Sequence, residues 1–177
     1  QASDILQLIE LFLWNGWEAD ELTMDFVPLF ETVNDLSGAA EIMEKLYTNP
    51  FYKKHLASRG NKQDIMLGFS DSTKDGGYLM ANWSIFKAKV GLTEMAEKHN
   101  VKLAFFDGRG GPPSRGGGKT HRFYASMGKE IANKNIQLTI QGQTISSQYG
   151  SVDSAAFNIE QLINAGISSG VKEKHNV

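Results

Sequence analysis

The sequence contains no cysteine, which excludes disulfide bonds, thiolate metal sites and a cysteine nucleophile. A bound metal ion would therefore need oxygen or histidine ligands. The absence of cysteine also fits a reducing compartment, so we expect a cytoplasmic location.

Long hydrophobic runs are missing as well. The longest, from Ile5 to Trp14, is interrupted by Gln7 and Glu10 and is much shorter than the roughly 20 apolar residues that span a bilayer. The first residues do not follow the pattern of a signal peptide. We therefore expect no membrane association.

Neither sign of charge is in large excess. The 18 basic and 20 acidic residues give a formal net charge of -2, which does not favour nucleic-acid binding. With 177 residues and 41% hydrophobic residues, the chain has the length and composition of one folded domain, which we expect to span residues 1–177.

Strand patterns and helix patterns alternate along the chain after a first helix that Ser3 can cap. The expected strands are Met24 to Phe30, Asp64 to Phe69, Val101 to Phe106 and Ile136 to Gln141. The expected helices that follow them are Asp35 to Tyr47, Tyr78 to His99, His121 to Met127 and Asp153 to Gly166. This alternation predicts an α/β fold with a parallel sheet, because parallel neighbours need crossover connections.

Polar residues follow each predicted strand: Glu31, Ser70-Asp71, Asp107 and Gln141. The carboxyl ends of parallel strands meet at one edge, where α/β proteins place their chemistry. Each of these residues could instead cap the next helix. Four such positions in succession favour a functional site over helix capping.

A glycine-rich loop from Gly108 to Lys119 places Arg109, Arg115 and Lys119 shortly before a predicted helix. Backbone amides and cationic side chains in such a loop suit a phosphate or carboxylate. Pro113 stands where both the Walker pattern and the dinucleotide glycine pattern need glycine, so neither nucleotide motif is present. A flexible basic surface loop is the alternative.

A second polar cluster runs from Phe69 to Gly77, between a predicted strand and the longest predicted helix. Asp71 could bind a hard cation and Lys74 could pair with a phosphate. The alternative is a helix cap beside a solvated lysine.

The segment Ile65-Met-Leu-Gly-Phe-Ser-Asp-Ser-Thr-Lys-Asp-Gly-Gly77 closely resembles the second signature of phosphoenolpyruvate carboxylases, with Phe69 where that family usually has Tyr. Further segments resemble the family in the same order: 27–32, 35–36, 108–111, 115–117, 120–121 and 141–142. The resemblance extends from about Met24 to Tyr149.

This resemblance implies functional roles for residues at the strand ends, in the second polar cluster and in the glycine-rich loop. Glu31 and Asp71 match metal ligands for Mg²⁺ or Mn²⁺, and Lys74 and Arg109 match residues that hold phosphoenolpyruvate. The remaining matches are Arg115, linked to catalysis and to inhibition by acidic effectors, and Gln141, expected beside the substrate.

Enzymes similar to this chain let bicarbonate attack the phosphate of phosphoenolpyruvate, and the resulting enolate takes up carbon dioxide to form oxaloacetate. The resemblance further implies a (β/α)8 barrel, of which this chain would supply about four strand-helix units after an N-terminal helix. The family's chains are several times longer, and its signature with an essential histidine is absent here. We therefore expect a fragment whose partner is the remainder of a homo-oligomeric parent chain.

Two positions depart from the family pattern. Asp107 stands where the family usually has His, and Gln143 stands where it usually has Glu. Asp107 would repel bicarbonate unless a metal or Arg109 offset its charge. The interpretation that we favour is a divergent subfamily in which Asp107 still acts in catalysis, for example as a further metal ligand. The alternative is a non-catalytic anion-binding or regulatory module.

Overall fold

The computed structural model describes residues 1–18, 21–109, 111–127, 131 and 135–171. Within them the strands are β1 (Leu29–Phe30), β2 (Lys62–Gly68), β3 (Lys102–Gly108) and β4 (Ile136–Leu138). The helices are α1 (Ala2–Trp14), α2 (Val33–Thr48), α3 (Pro50–Ser58), α4 (Phe69–Lys98), α5 (Thr120–Ala125), α6 (Gly142–Tyr149) and α7 (Val152–Val171).

The four strands form one parallel sheet in the order β1-β2-β3-β4, which confirms the predicted α/β class and the parallel pairing. Strands added in sequence order are what consecutive units of a β/α barrel produce. In the described residues β1 and β4 are the two edges of the sheet. Closure into a barrel stays a prediction.

The first strand is much shorter than the predicted Met24 to Phe30. Proline lacks a backbone N–H, so Pro28 cannot donate to the ladder, although its carbonyl accepts from Met66 at 2.9 Å. Just before it, the carbonyl of Phe26 accepts from the Gln63 side chain at 2.9 Å. Backbone pairing therefore reaches back only to the Pro28 carbonyl, and a side-chain bond takes its place at Phe26.

The long fourth helix begins earlier than predicted and absorbs the polar cluster. It starts at Phe69 and is broken at Gly77, whose backbone has φ 78° and ψ 166°. Only glycine adopts this conformation readily. The Ser-Asp-Ser-Thr-Lys segment is therefore a short helical stretch directly after β2 rather than an open loop.

Two further helices, α3 and α6, were not predicted. Asn49 caps α3 by accepting from the amides of Phe51 and Tyr52, with Pro50 at the first helical position. This start signal is readable in the sequence.

The core lies between the sheet and the packed pair of helices α2 and α4. Alternate residues of β2 are buried, and its Ile65 and Leu67 join Phe105 of β3 in this core. On the opposite face Met66 and Phe106 remain partly exposed. No helix of the described residues combines the length and apolarity needed to cross a bilayer.

Candidate functional site

The strand register brings the four predicted polar ends to one edge of the sheet. Phe30 pairs with Leu67, Leu67 with Asp107, and Asp107 with Leu138. The carboxyl ends of the four strands therefore lie side by side. Glu31 directly follows β1, Asp71 lies in the first turn of α4 after β2, and Asp107 lies within β3 rather than after it.

Glu31 and the start of α4 are joined directly. The Ser72 hydroxyl donates to the carbonyl of Glu31 at 2.6 Å and also bonds the carbonyl of Gly68. A Cβ on Gly68 would lie 3.1 Å from Cγ of Glu31, so glycine permits the close approach. Glu31 thus adjoins the helical stretch that carries Asp71.

Asp71 pairs with Lys74 one helical turn later, with Nζ 2.6 Å from Oδ1. Their side chains are 46% and 56% exposed, and exposed ion pairs contribute at most about 1 kcal/mol. Both groups can therefore exchange this partner for a ligand at little cost.

The described residues contain no group of three or more histidine, cysteine or acidic side chains arranged to hold a metal. Glu31 and Asp71 supply two carboxylates from adjoining strand ends. Mg²⁺ commonly binds through one or two carboxylates and completes its shell with water and substrate oxygens. The two residues therefore fit a metal of this class, while their sharing one ion stays a prediction.

The glycine loop is folded onto α4. Gly116 has φ 83°, and a Cβ there would lie 2.9 Å from the Thr73 hydroxyl and 3.0 Å from Cβ of Phe69. Within the loop, a Cβ on Gly117 would lie only 1.7 Å from the carbonyl oxygen of Gly111. These contacts require glycine, so its abundance in the loop reflects close packing as well as turning. Gly110 lies outside the described residues.

Arg109 is only 5% exposed, and its Nε and Nη1 have no hydrogen-bond partner among the described residues. Its guanidinium carbon lies 4.5 Å from the Phe123 ring centroid and 5.5 Å from that of Phe69. Burial lowers the pKa of Arg109, although Tyr78, Tyr124 and Asp107 act in the opposite sense. Buried unsatisfied donors cost about 1 to 3 kcal/mol, so this group suits an anion.

Of the other two predicted substrate contacts, Arg115 lies within the glycine loop and Gln141 lies beside it. Arg115 is exposed at the end of a single 3-10 turn, Pro113–Arg115. The fourth strand was predicted to reach Gln141 but ends at Leu138, so Gln141 is instead the exposed residue that precedes α6. Its Oε1 would lie 3.3 Å from a Cβ on Gly111.

Asp107 is buried and faces a partner that the sequence analysis missed. Lys89 Nζ donates to its Oδ2 at 2.9 Å and lies 2.8 Å from Oδ1, with both side chains 1% exposed. Within the described residues Oδ1 has no well-directed hydrogen bond, so its contact with Lys89 is one of charge. The Tyr124 hydroxyl donates to Oδ2 at 2.7 Å. Lys89, rather than Arg109 or a metal, offsets the Asp107 charge most directly.

A signal for Lys89 was present in the sequence. It lies four residues after Ile85 and three before Leu92, both of which are buried on the core-facing stripe of α4. A lysine at such a position needs a buried partner. Which residue serves as that partner depends on how α4 packs against β3.

Comparisons with known proteins agree with the resemblance drawn from the signature. The family model described as phosphoenolpyruvate carboxylase matches residues 1–177. A phosphoenolpyruvate carboxylase of Corynebacterium diphtheriae is 40% identical over 169 residues, which cover 96% of this chain and 18% of that protein. A phosphoenolpyruvate carboxylase of Nitrosomonas eutropha is 42% identical over 169 residues, with 96% and 18% covered. That of Rhodothermus marinus is 42% identical over 176 residues, with 92% and 19% covered. The chain thus spans about a fifth of the length of these relatives.

Proposed function

This chain belongs to the phosphoenolpyruvate carboxylase family, and we propose that its parent protein forms oxaloacetate and phosphate from phosphoenolpyruvate and bicarbonate. The chain would supply the phosphate cradle and two metal ligands of that site. The observation that carries this proposal is the buried Arg109 at the edge where the strand ends meet, whose Nε and Nη1 find no hydrogen-bond partner in the part of the chain that the structure describes.

Cationic side chains bind the substrate phosphate in this proposal. Arg109 donates from its planar fork, and Lys74 leaves Asp71 to act as a point charge. Arg115 and Gln141 approach from the glycine loop and the start of α6. Phe69 and Phe123 exclude water from one side of Arg109, which strengthens its hydrogen bonds to an anion.

Glu31 and Asp71 would hold the Mg²⁺ or Mn²⁺ that the family resemblance implies. When bound, such an ion would supply positive charge that stabilises the enolate oxygen. When Lys74 leaves Asp71 to bind the phosphate, the Asp71 carboxylate would become free to bind the metal ion.

The second candidate function is a non-catalytic anion-binding or regulatory module. The burial of Asp107 against Lys89 favours it, because that carboxylate is not free to accept a proton from a substrate. The phosphate cradle would then bind an anion without turnover.

The test is oxaloacetate formation by the full-length parent, measured by coupled NADH oxidation with phosphoenolpyruvate, bicarbonate and either Mg²⁺ or Mn²⁺. We expect turnover that depends on bicarbonate and on the metal. Binding of phosphoenolpyruvate without oxaloacetate would favour the non-catalytic module and reject the enzyme.

We also propose that the 177-residue chain alone does not turn over, although it can bind phosphate weakly. The sheet has β1 and β4 as edges in the described residues, and catalysis needs groups positioned on several further strands. The same assay on the purified chain should equal a protein-free blank. Steady oxaloacetate production would place the catalytic groups within these residues. A homo-oligomeric cytoplasmic parent completes the proposal.

A further inference from the structure

Lys89 and Asp107 form an ion pair that is almost completely excluded from water. The ammonium lies 4.9 Å from the ring centroid of Phe105, 5.2 Å from that of Phe123 and 5.7 Å from that of Tyr124. Burial lowers the pKa of Lys89, and Asp107 acts against this shift. Burial also raises the pKa of the Tyr124 phenol, so its hydroxyl stays protonated and can donate. The three side chains make one hydrogen-bonded network.

Stability alone is a weak reason for such a network. Removing two charges from water costs several kcal/mol per ion, and apolar replacements of a buried pair are often equally or more stable. An apolar pair at these positions would continue the surrounding core of Ile85, Leu92 and Phe105. What an ion pair adds is a single defined geometry for the groups around it.

That geometry extends to Arg109. Arg109 directly follows the last residue of β3, two residues after Asp107. The Phe123 ring contacts both cations, with the Arg109 guanidinium 4.5 Å and the Lys89 ammonium 5.2 Å from its centroid. The Asp107 carboxylate raises the pKa of both cations. It therefore offsets the repulsion between two buried positive charges.

We propose that Lys89, Asp107 and Tyr124 are positioning residues that hold the Arg109 guanidinium in place for the substrate phosphate. The inference rests on the proposed function, because it assumes that Arg109 binds that phosphate. It assigns Asp107 a role through Arg109 rather than a direct part in proton transfer or metal binding.

The experiment uses the full-length parent with Lys89→Met, Asp107→Asn and the double variant. Each single change leaves one buried charge unpaired and should lower the unfolding temperature, whereas the double variant removes both charges and should recover most of that loss. A positioning role predicts that the KM for phosphoenolpyruvate stays raised about tenfold or more in the double variant, as is common for outer residues that orient a site. The kcat at saturation should change less than the KM.

Tyr124→Phe is the second variant, because it removes one hydroxyl and preserves the ring that packs in the core. We expect the KM to rise about threefold or more. The unfolding temperature should fall by less than in either single charge variant, because the hydroxyl's hydrogen bond to the Asp107 carboxylate is lost while the ion pair with Lys89 stays in place. The inference would be overturned if the double variant recovered both stability and the original KM and if Tyr124→Phe left the KM unchanged. The network would then be purely structural.

Arg109→Ala separates this failure from a failure of the proposed function. If Arg109→Ala raises the KM and the network variants do not, only the positioning role is lost. If Arg109→Ala also leaves the KM unchanged, the phosphate cradle is wrong and the inference fails with it.

Discussion

Replacing Arg109 by alanine in the full-length parent tests the phosphate cradle directly. The change removes the buried guanidinium whose Nε and Nη1 have no hydrogen-bond partner in the described ranges. A hydrogen bond to a charged group contributes about 1.5 to 3 kcal/mol, which corresponds to a change of about 10- to 150-fold in kcat/KM. We expect kcat/KM for phosphoenolpyruvate to fall within this range.

The assay is steady-state oxaloacetate formation over a range of phosphoenolpyruvate concentrations at fixed bicarbonate and metal. Arg109→Lys gives an intermediate loss, because it retains the charge and loses the planar fork. Arg122→Ala is the matched control, since Arg122 is an exposed arginine on α5 next in sequence to Phe123, whose ring contacts Arg109. It should behave as the unmodified protein.

Two results would refute the reasoning. Unchanged kcat/KM in Arg109→Ala would remove Arg109 from the cradle. An equal loss in Arg122→Ala would show that the effect reflects net charge rather than a specific contact. A loss in Arg109→Ala accompanied by complete unfolding would be recognised by circular dichroism, and Arg109→Lys would then decide the question.

Three further predictions concern the supporting structure. Gly117→Ala should reduce activity and lower stability by about 1 to 3 kcal/mol, because its Cβ would overlap the carbonyl of Gly111. The control Gly142→Ala should be nearly neutral, because a Cβ there meets open space. Kinetics and urea unfolding of both variants check this. Thr32→Ala removes the hydroxyl that caps α2 and should cost about 1 kcal/mol in urea unfolding, and an unchanged midpoint would contradict the cap. Burial lowers the pKa of His55, so the unfolded state binds more protons, and stability should fall as the pH drops through the unfolded value near 6.5. Replacing His55 by Phe should flatten this pH dependence of thermal unfolding between about pH 5 and 7.5. An unchanged slope would assign the dependence to other groups.

Local patterns in the sequence predicted much of the fold. The second and third strands were placed to within two residues at each end, because their apolar runs are flanked by clear turn residues. The order of strands and helices then required a parallel sheet, and the register confirms it. The first strand was predicted too long because Met24 to Phe30 is apolar enough for a strand, while Pro28 and the Gln63 side chain determine where pairing begins.

The candidate site also has a part that the sequence predicted and a part that it did not. The strand-end positions of Glu31, Asp71, Asp107 and Gln141 were predictable, because parallel pairing requires the carboxyl ends to meet at one edge. The exchangeable pairing of Lys74 with Asp71 was not predicted, although the two lie one helical turn apart. It became visible only when that segment proved to be helical.

By itself the sequence determined the family, the α/β class and the order of the strands, since these depend on local composition and on a signature of consecutive residues. Only the tertiary structure decided that Lys89 faces Asp107, that Arg109 is buried against Phe123, and that Gly117 packs on Gly111. Lys89 and Asp107 are 18 residues apart on different elements, and Arg109 meets Phe123 across the loop. Contacts of this kind arise from how a helix packs on a sheet, which periodicity along one element does not specify.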